Sequence, residues 1–287
     1  MMNAIRSKQI IVIGAVLLLV VFLFTRDIKG LVKPKQETTG VPAGSQLTSA
    51  SNSINLTEVS TAAKNSINAN IAAEITTLEN AYQNAAEEEK VNAAKVLAEK
   101  WDDVEQSVPS ALYLEIIANK DRSLNNWLAA GGKFMQAFDT TQDSVISPAL
   151  LQKANTAYTN AVTLDSTNLE AKTGLGITIV NGMGAPMSGI AMLLDVVKKD
   201  PKNLKANMSL GTFAIKSGQF DKAIIRFNDI IAMRPSPDAY FYLATAYENL
   251  GKNEEAVNAY LNSKKLAANP TLSAFIDKKV AELKNKN

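Results

Sequence analysis

Leu204 to Pro235 reads LKANMSLGTFAIKSGQFDKAIIRFNDIIAMRP, and this stretch decides the fold. Leu210-Gly211, Gly218, Ala223, Phe227 and Pro235 punctuate two segments of helix length. The same punctuation recurs on both sides. Leu175-Gly176 precedes Leu210-Gly211 by 35 positions, and Gly184, Gly218 and Gly251 are spaced by 34 and 33. Leu193, Phe227 and Tyr260 keep those steps, as do Gly189, Ala223 and Ala256, while Pro201 and Pro235 lie 34 apart. A period in this range marks an all-α solenoid of stacked helix pairs, none of which can bury its apolar face alone. Each lone glycine suits the left-handed turn that ends the first helix of a pair. The Leu-Gly pair permits close helix approach. The small residue at 189, 223 and 256 serves contact within the pair, and the large residue at 193, 227 and 260 fills space between units.

The segment resembles tetratricopeptide repeats (TPRs), whose pattern runs W-x2-L-G-x2-Y, A-x3-F, P. In the quoted unit Asn207 replaces the tryptophan and Ala214 the tyrosine, while Leu210, Gly211, Ala223, Phe227 and Pro235 match. The following unit carries Tyr240, Leu243, Ala244, Tyr247, Ala256 and Tyr260; the preceding one carries Leu175, Gly176, Ile179, Gly189, Leu193 and Pro201. A fourth unit begins with Trp127, Ala130, Gly131 and Phe134 and resumes at Ala154, Tyr158 and Ala161, with an insertion from Asp139 to Pro148. Four TPR-like repeats are thus expected over 124–269, with a capping helix over 270–287. Helices over 56–123 form a degenerate repeat or an N-terminal cap.

The resemblance implies that the first helix of each pair lines a concave groove that binds a peptide or protein segment. Motif positions two, five, nine and twelve would face it. These are Glu170, Thr173, Ile177 and Val180; Lys205, Met208, Thr212 and Ile215; and Asp238, Phe241, Thr245 and Glu248. The lining mixes polar and apolar groups with little net charge, and Met208 and Phe241 read as anchors. The family's carboxylate clamp is not supported, because Met208, Thr212 and Phe241 stand where its lysine, asparagine and arginine would be expected.

The N-terminus has a different character. Ile10 to Phe24, IIVIGAVLLLVVFLF, carries no charge, and Gln9 and Thr25 extend it to about the lower limit of a bilayer span. Arg6 and Lys8 precede it, and Arg26, Lys29, Lys33 and Lys35 follow. No small-residue cleavage site ends the apolar run, so 1–26 is expected to be an uncleaved single transmembrane anchor contacting lipid through residues 10–24. Residues 27–55, with Pro34, Gly40, Pro42 and Gly44 among Ser, Thr and Asn, read as a flexible linker. From Thr57 onward Ile67, Ile71, Ile75, Leu78 and Tyr82 recur on one helical face. Glu87–Glu89 open a second helix, and Pro109 starts a third. The expected location is a bacterial inner membrane, with the soluble part in the periplasm. The basic flanks do not settle that orientation.

The 287-residue chain contains neither cysteine nor histidine, which excludes thiolate nucleophiles, disulfides, Ser-His-Asp triads and histidine-held metals. Thirty basic against 28 acidic residues leave a net charge of +2, so nucleic acid is not an expected partner. Asn181–Met187 contains G-x-G without a preceding strand and reads as a widened turn, not a phosphate cradle. Asp139, Asp143 and Ser144 lack the ligand alternation of a calcium loop. Adjacent Asp102 and Asp103 point apart on a helix. No catalytic, cofactor or metal site is expected, and the chain reads as a scaffold rather than an enzyme. A self-assembling structural component of an envelope complex, forming homo-oligomers, is the competing expectation.

Overall fold

The computed structural model describes residues 54–285, and every regular element among them is an α-helix. In chain order these are α1 (Leu56–Lys64), α2 (Ala69–Asn84), α3 (Lys90–Asp103), α4 (Ser107–Lys120), α5 (Leu124–Thr140), α6 (Ser147–Leu164) and α7 (Leu169–Gly182). They continue as α8 (Pro186–Lys199), α9 (Leu204–Lys216), α10 (Phe220–Met233), α11 (Pro237–Asn249), α12 (Asn253–Leu266) and α13 (Pro270–Lys284). Consecutive helices pack as α3–α4, α5–α6, α7–α8, α9–α10 and α11–α12, and α13 covers α12. The leading members α5, α7, α9 and α11 also touch one another in succession, forming one wall of the stack.

Local chemistry fixes where these leading helices begin. The Ala171 N–H donates to Asn168 Oδ1 at 2.8 Å and the Ala206 N–H to Asn203 Oδ1 at 3.0 Å. Ser236 and Asn269 cap α11 and α13 in the same way. Each satisfies a backbone donor that the first helical turn leaves unpaired. The preceding turns are also locally bonded, since Asp165 and Asp200 each accept from the backbone N–H two residues on.

Within the pairs, left-handed residues turn the chain. Gly184, Gly218 and Gly251 have φ of 78°, 74° and 70°. At Gly218 the Gln219 N–H reaches back to Ala214 O (2.8 Å) and the Gly218 N–H to Ile215 O (3.0 Å), a Schellman closure. Gly251 repeats it on Tyr247 and Glu248. The α3–α4 turn does so too, but with Glu105 at φ 57° in the glycine position: Gln106 bonds Trp101 O and Glu105 bonds Asp102 O, both at 2.9 Å.

Leu193, Phe227 and Tyr260 are almost wholly buried. A Cβ at Gly211 would come within 2.7 Å of the Phe227 ring, and one at Gly176 within 2.9 Å of Leu193. The Leu-Gly glycine therefore admits the large residue of its own partner helix. Phe227 also reaches the next unit, stacking on Tyr242 with ring centroids 5.5 Å apart. At the C-terminal end Ile276, Val280 and Leu283 of α13 complete the apolar cluster around Tyr260.

Two details differ from the sequence reading. The helix expected from Thr57 is broken at 65–68, where Asn68 caps α2 and accepts from the Asn70 N–H at 2.9 Å, leaving Ile67 in the turn. The 139–148 insertion is only partly a loop. It lengthens α5 to 17 residues and α6 to 18, against 13 or 14 in the later pairs, and leaves a short connection. Asp139 is accordingly helical, and Asp143 accepts from the Val145 N–H within the connection. No helix among the described residues is long and apolar enough to cross a membrane. The expected anchor (1–26) and nearly all of the linker (27–55) lie outside the described residues.

Candidate peptide-binding trough

The cap at Asn168 places Glu170 in the first turn of α7, and the cap at Asn203 places Lys205 equivalently in α9. Thr173 and Ile177, and Met208 and Thr212, then follow on the same faces at three- and four-residue spacing. Together with the C-terminal part of α5 these faces line an open trough of about 990 Å³. Its apolar surface comes from Met135, Ile177, Val180, Leu204, Met208 and Phe213.

Seven of the twelve residues expected at the groove meet there: Glu170, Thr173, Ile177, Val180, Lys205, Met208 and Thr212. Five do not line it. Ile215 packs into the C-terminal core, and Asp238 is exposed at the start of α11. Phe241 joins an aromatic cluster, with ring centroids 5.6 Å from Tyr260 and 6.0 Å from Tyr242 and Phe275. The Thr245 hydroxyl donates to Phe241 O. Glu248 accepts from the Tyr260 hydroxyl at 2.7 Å and from Lys279 at 2.8 Å, joining the last pair to α13.

The trough also contains residues that motif positions did not supply. Lys202 lies in the turn before α9, Lys216 ends α9, and Arg234 follows α10. Gly132 and Met135 of α5 occupy positions nine and twelve if the register is carried back through Trp127, so that signal was present in the sequence. Asp139 and Thr140 line the trough because α5 is longer than its counterparts. The charged lining is therefore four basic groups (Lys202, Lys205, Lys216, Arg234) against two acidic ones (Asp139, Glu170), not the near-neutral surface expected.

The hydroxyls of the trough are partly committed to its own helices. The Thr173 hydroxyl donates to Leu169 O at 2.6 Å and Thr212 to Ser209 O at 3.0 Å, so both turn back on their own helices. Tyr158 lies between Gly131 and Gly174 beneath the trough. Burial, reinforced by Glu170 and Asp139, pushes its hydroxyl pKa up to about 12. Burial likewise raises the Asp139 carboxyl above its ordinary value. Among the described residues no cluster of three acidic side chains is placed to hold a metal ion.

Comparison with known proteins bears on the fold. A tetratricopeptide repeat family model matches residues 237–270. No curated protein matches the chain in sequence. A thermophilic TPR protein of Thermus thermophilus is 14% identical with a TM-score of 0.54, the match covering 67% of this chain and 99% of that one. MamA (21% identity, TM-score 0.46) matches over 62% of this chain and 91% of its own. YrrB, a TPR protein with an unusual peptide-binding site, is 15% identical with a TM-score of 0.44, over 70% of this chain and 96% of that one. At such identities the likeness concerns the fold, and of these three only the Thermus protein is near enough to bear on it. Over its described residues the chain is an all-α, TPR-like solenoid, in which 237–270 match a tetratricopeptide repeat.

Proposed function

We propose that this protein is a membrane-anchored TPR scaffold that holds an extended peptide or protein segment in the trough formed by α5, α7 and α9. The observation that carries the reading is the trough itself: an open concavity of about 990 Å³ with an apolar floor and charged rim, built from the leading helices of three successive pairs. An extended segment suits an open channel, whereas small-molecule sites enclose most of their ligand. The protein acts by binding rather than catalysis, in keeping with a chain that has neither histidine nor cysteine. Residues 10–24 hold it in a bacterial inner membrane, with the helical stack in the periplasm.

Two experiments test this. Met208 and Ile177 contribute floor area, and truncating both to alanine weakens capture of peptides by about tenfold or more at roughly 0.8 kcal/mol per methylene removed. Unchanged peptide affinity in I177A/M208A refutes the trough assignment. Protease added to spheroplasts digests the helical stack while the chain resists carbonate extraction. Release by carbonate refutes the anchor, and protection from protease refutes the periplasmic placement.

A further inference from the structure

The balance of charge in the trough identifies the chemistry of its occupant, an inference that rests on the binding reading above. Several lysines of the stack are tied across helices, among them Lys64 to Glu79, Lys100 to Glu74, Lys153 to Glu115 and Lys279 to Glu248, all within 2.8 Å. Lys202, Lys205, Lys216 and Arg234 make no ion pair among the described residues; other exposed lysines are unpaired too, but these four are gathered in one place. All four line one concavity, where the only acidic groups are Asp139 on α5 and Glu170 on α7. Four cations around a partly apolar channel create a positive field that low-dielectric walls focus.

The arrangement also has a length. Lys205, Met208, Thr212 and Lys216 succeed one another at three- and four-residue spacing on α9, so one face carries a cation at each end with Met208 between. Eleven residues of helix span about 16 Å, the length of roughly five residues of extended chain. The other two cations extend the basic edge, from the turn before α9 (Lys202) and the turn after α10 (Arg234).

We infer that the trough selects an acidic extended segment, in which carboxylate-bearing residues about five positions apart engage the two ends of α9 and the apolar residues between them face Met208 and Ile177. The acidic side chains lie toward α9 and its flanking turns, away from Asp139 and Glu170. Steering by the cations makes the association dependent on salt.

Three fluorescein-labelled probes test this on the full chain in non-ionic detergent: a leucine-rich core flanked by Asp and Glu, the same core flanked by Lys, and the same core flanked by Gln. Fluorescence anisotropy is read at 50 and at 500 mM NaCl. The acidic probe is expected to bind at least about tenfold more tightly than the Lys probe at low salt, and to lose most of that advantage at high salt. In K205E/K216E, both exposed positions, the order of the two charged probes reverses. Equal affinity for all three probes, or preference for the Lys probe, overturns the acidic selectivity and leaves peptide binding in the trough standing. Acid-selective binding that I177A/M208A does not weaken removes the trough as its site and overturns both readings. Failure of every probe to bind also overturns the inference.

Discussion

Glycine at position 105 is expected to stabilise the protein, although a Glu→Gly change near a helix end usually does the opposite. Glu105 occupies the left-handed position of a Schellman turn at φ 57°, where Gly218 and Gly251 stand in later pairs. A side chain there costs about 1–2 kcal/mol of steric strain, and glycine returns about 0.5–1 kcal/mol of that as unfolded-chain entropy. The exposed Glu105 side chain makes no ion pair among the described residues. The net expectation for Glu105→Gly is about 0.5–1 kcal/mol of added stability, raising Tm by roughly 1–4 °C in a domain of this size. Gly218→Ala gives the mirror result. Nothing lies within 4 Å of the added Cβ, so it lowers stability by a similar amount through backbone strain alone. Glu105→Ala, which removes the charge but keeps a Cβ, should leave stability nearly unchanged. Urea unfolding followed by circular dichroism reads all three. If Glu105→Gly destabilises, or if Glu105→Ala stabilises equally, the turn geometry is not what sets the energy and the reasoning fails.

Other substitutions probe the packing and the charges. Gly174→Ala puts a Cβ 2.2 Å from the buried Tyr158 ring, which should cost about 1–3 kcal/mol, and truncating Tyr158 in the same chain should remove much of that penalty in a double-mutant cycle. Phe227→Ala empties a fully buried site shared by two units and should cost about 3–5 kcal/mol in urea unfolding. Lys120 at 2.7 Å and then Lys90 at 2.9 Å hold the Glu87 carboxyl down to about pKa 2, from an ordinary value of 4.5. The lowered pKa means a contribution present above pH 4.5 and lost as pH falls toward 2, so Glu87→Gln should flatten the stability profile in that window.

The repeat phase was legible because it rests on residues that can do only one thing. Gly184, Gly218 and Gly251 take left-handed φ, and Leu193 and Phe227 bury against Gly176 and Gly211. The α3–α4 turn escaped the pattern because Glu105 tolerates the strain and leaves no glycine to see. Tyr158 was legible as the large residue of its unit and meets Gly131 as Phe227 meets Gly211, but its second contact, with Gly174 of the next unit, is a matter of shape, not period. The trough was half visible. Helical spacing gave Glu170, Ile177, Lys205, Met208 and Thr212. It could not give Lys202 and Arg234, which reach the trough from turns, nor Asp139, which does so because α5 has an extra turn. Phe241 has the spacing of a groove residue, yet packs among Tyr242, Tyr260 and Phe275, because α13 supplies aromatic surface there.

The most direct test of trough binding is photocrosslinking from two single positions of the full chain in its native membrane. One probe replaces Met208 within the trough, and the other replaces Ile225 of α10, a 62% exposed residue that does not line it. Partner adducts should form from position 208 and not from 225, and excess acidic peptide should compete them away. Adducts from 225 alone, or from both positions equally, would contradict the account.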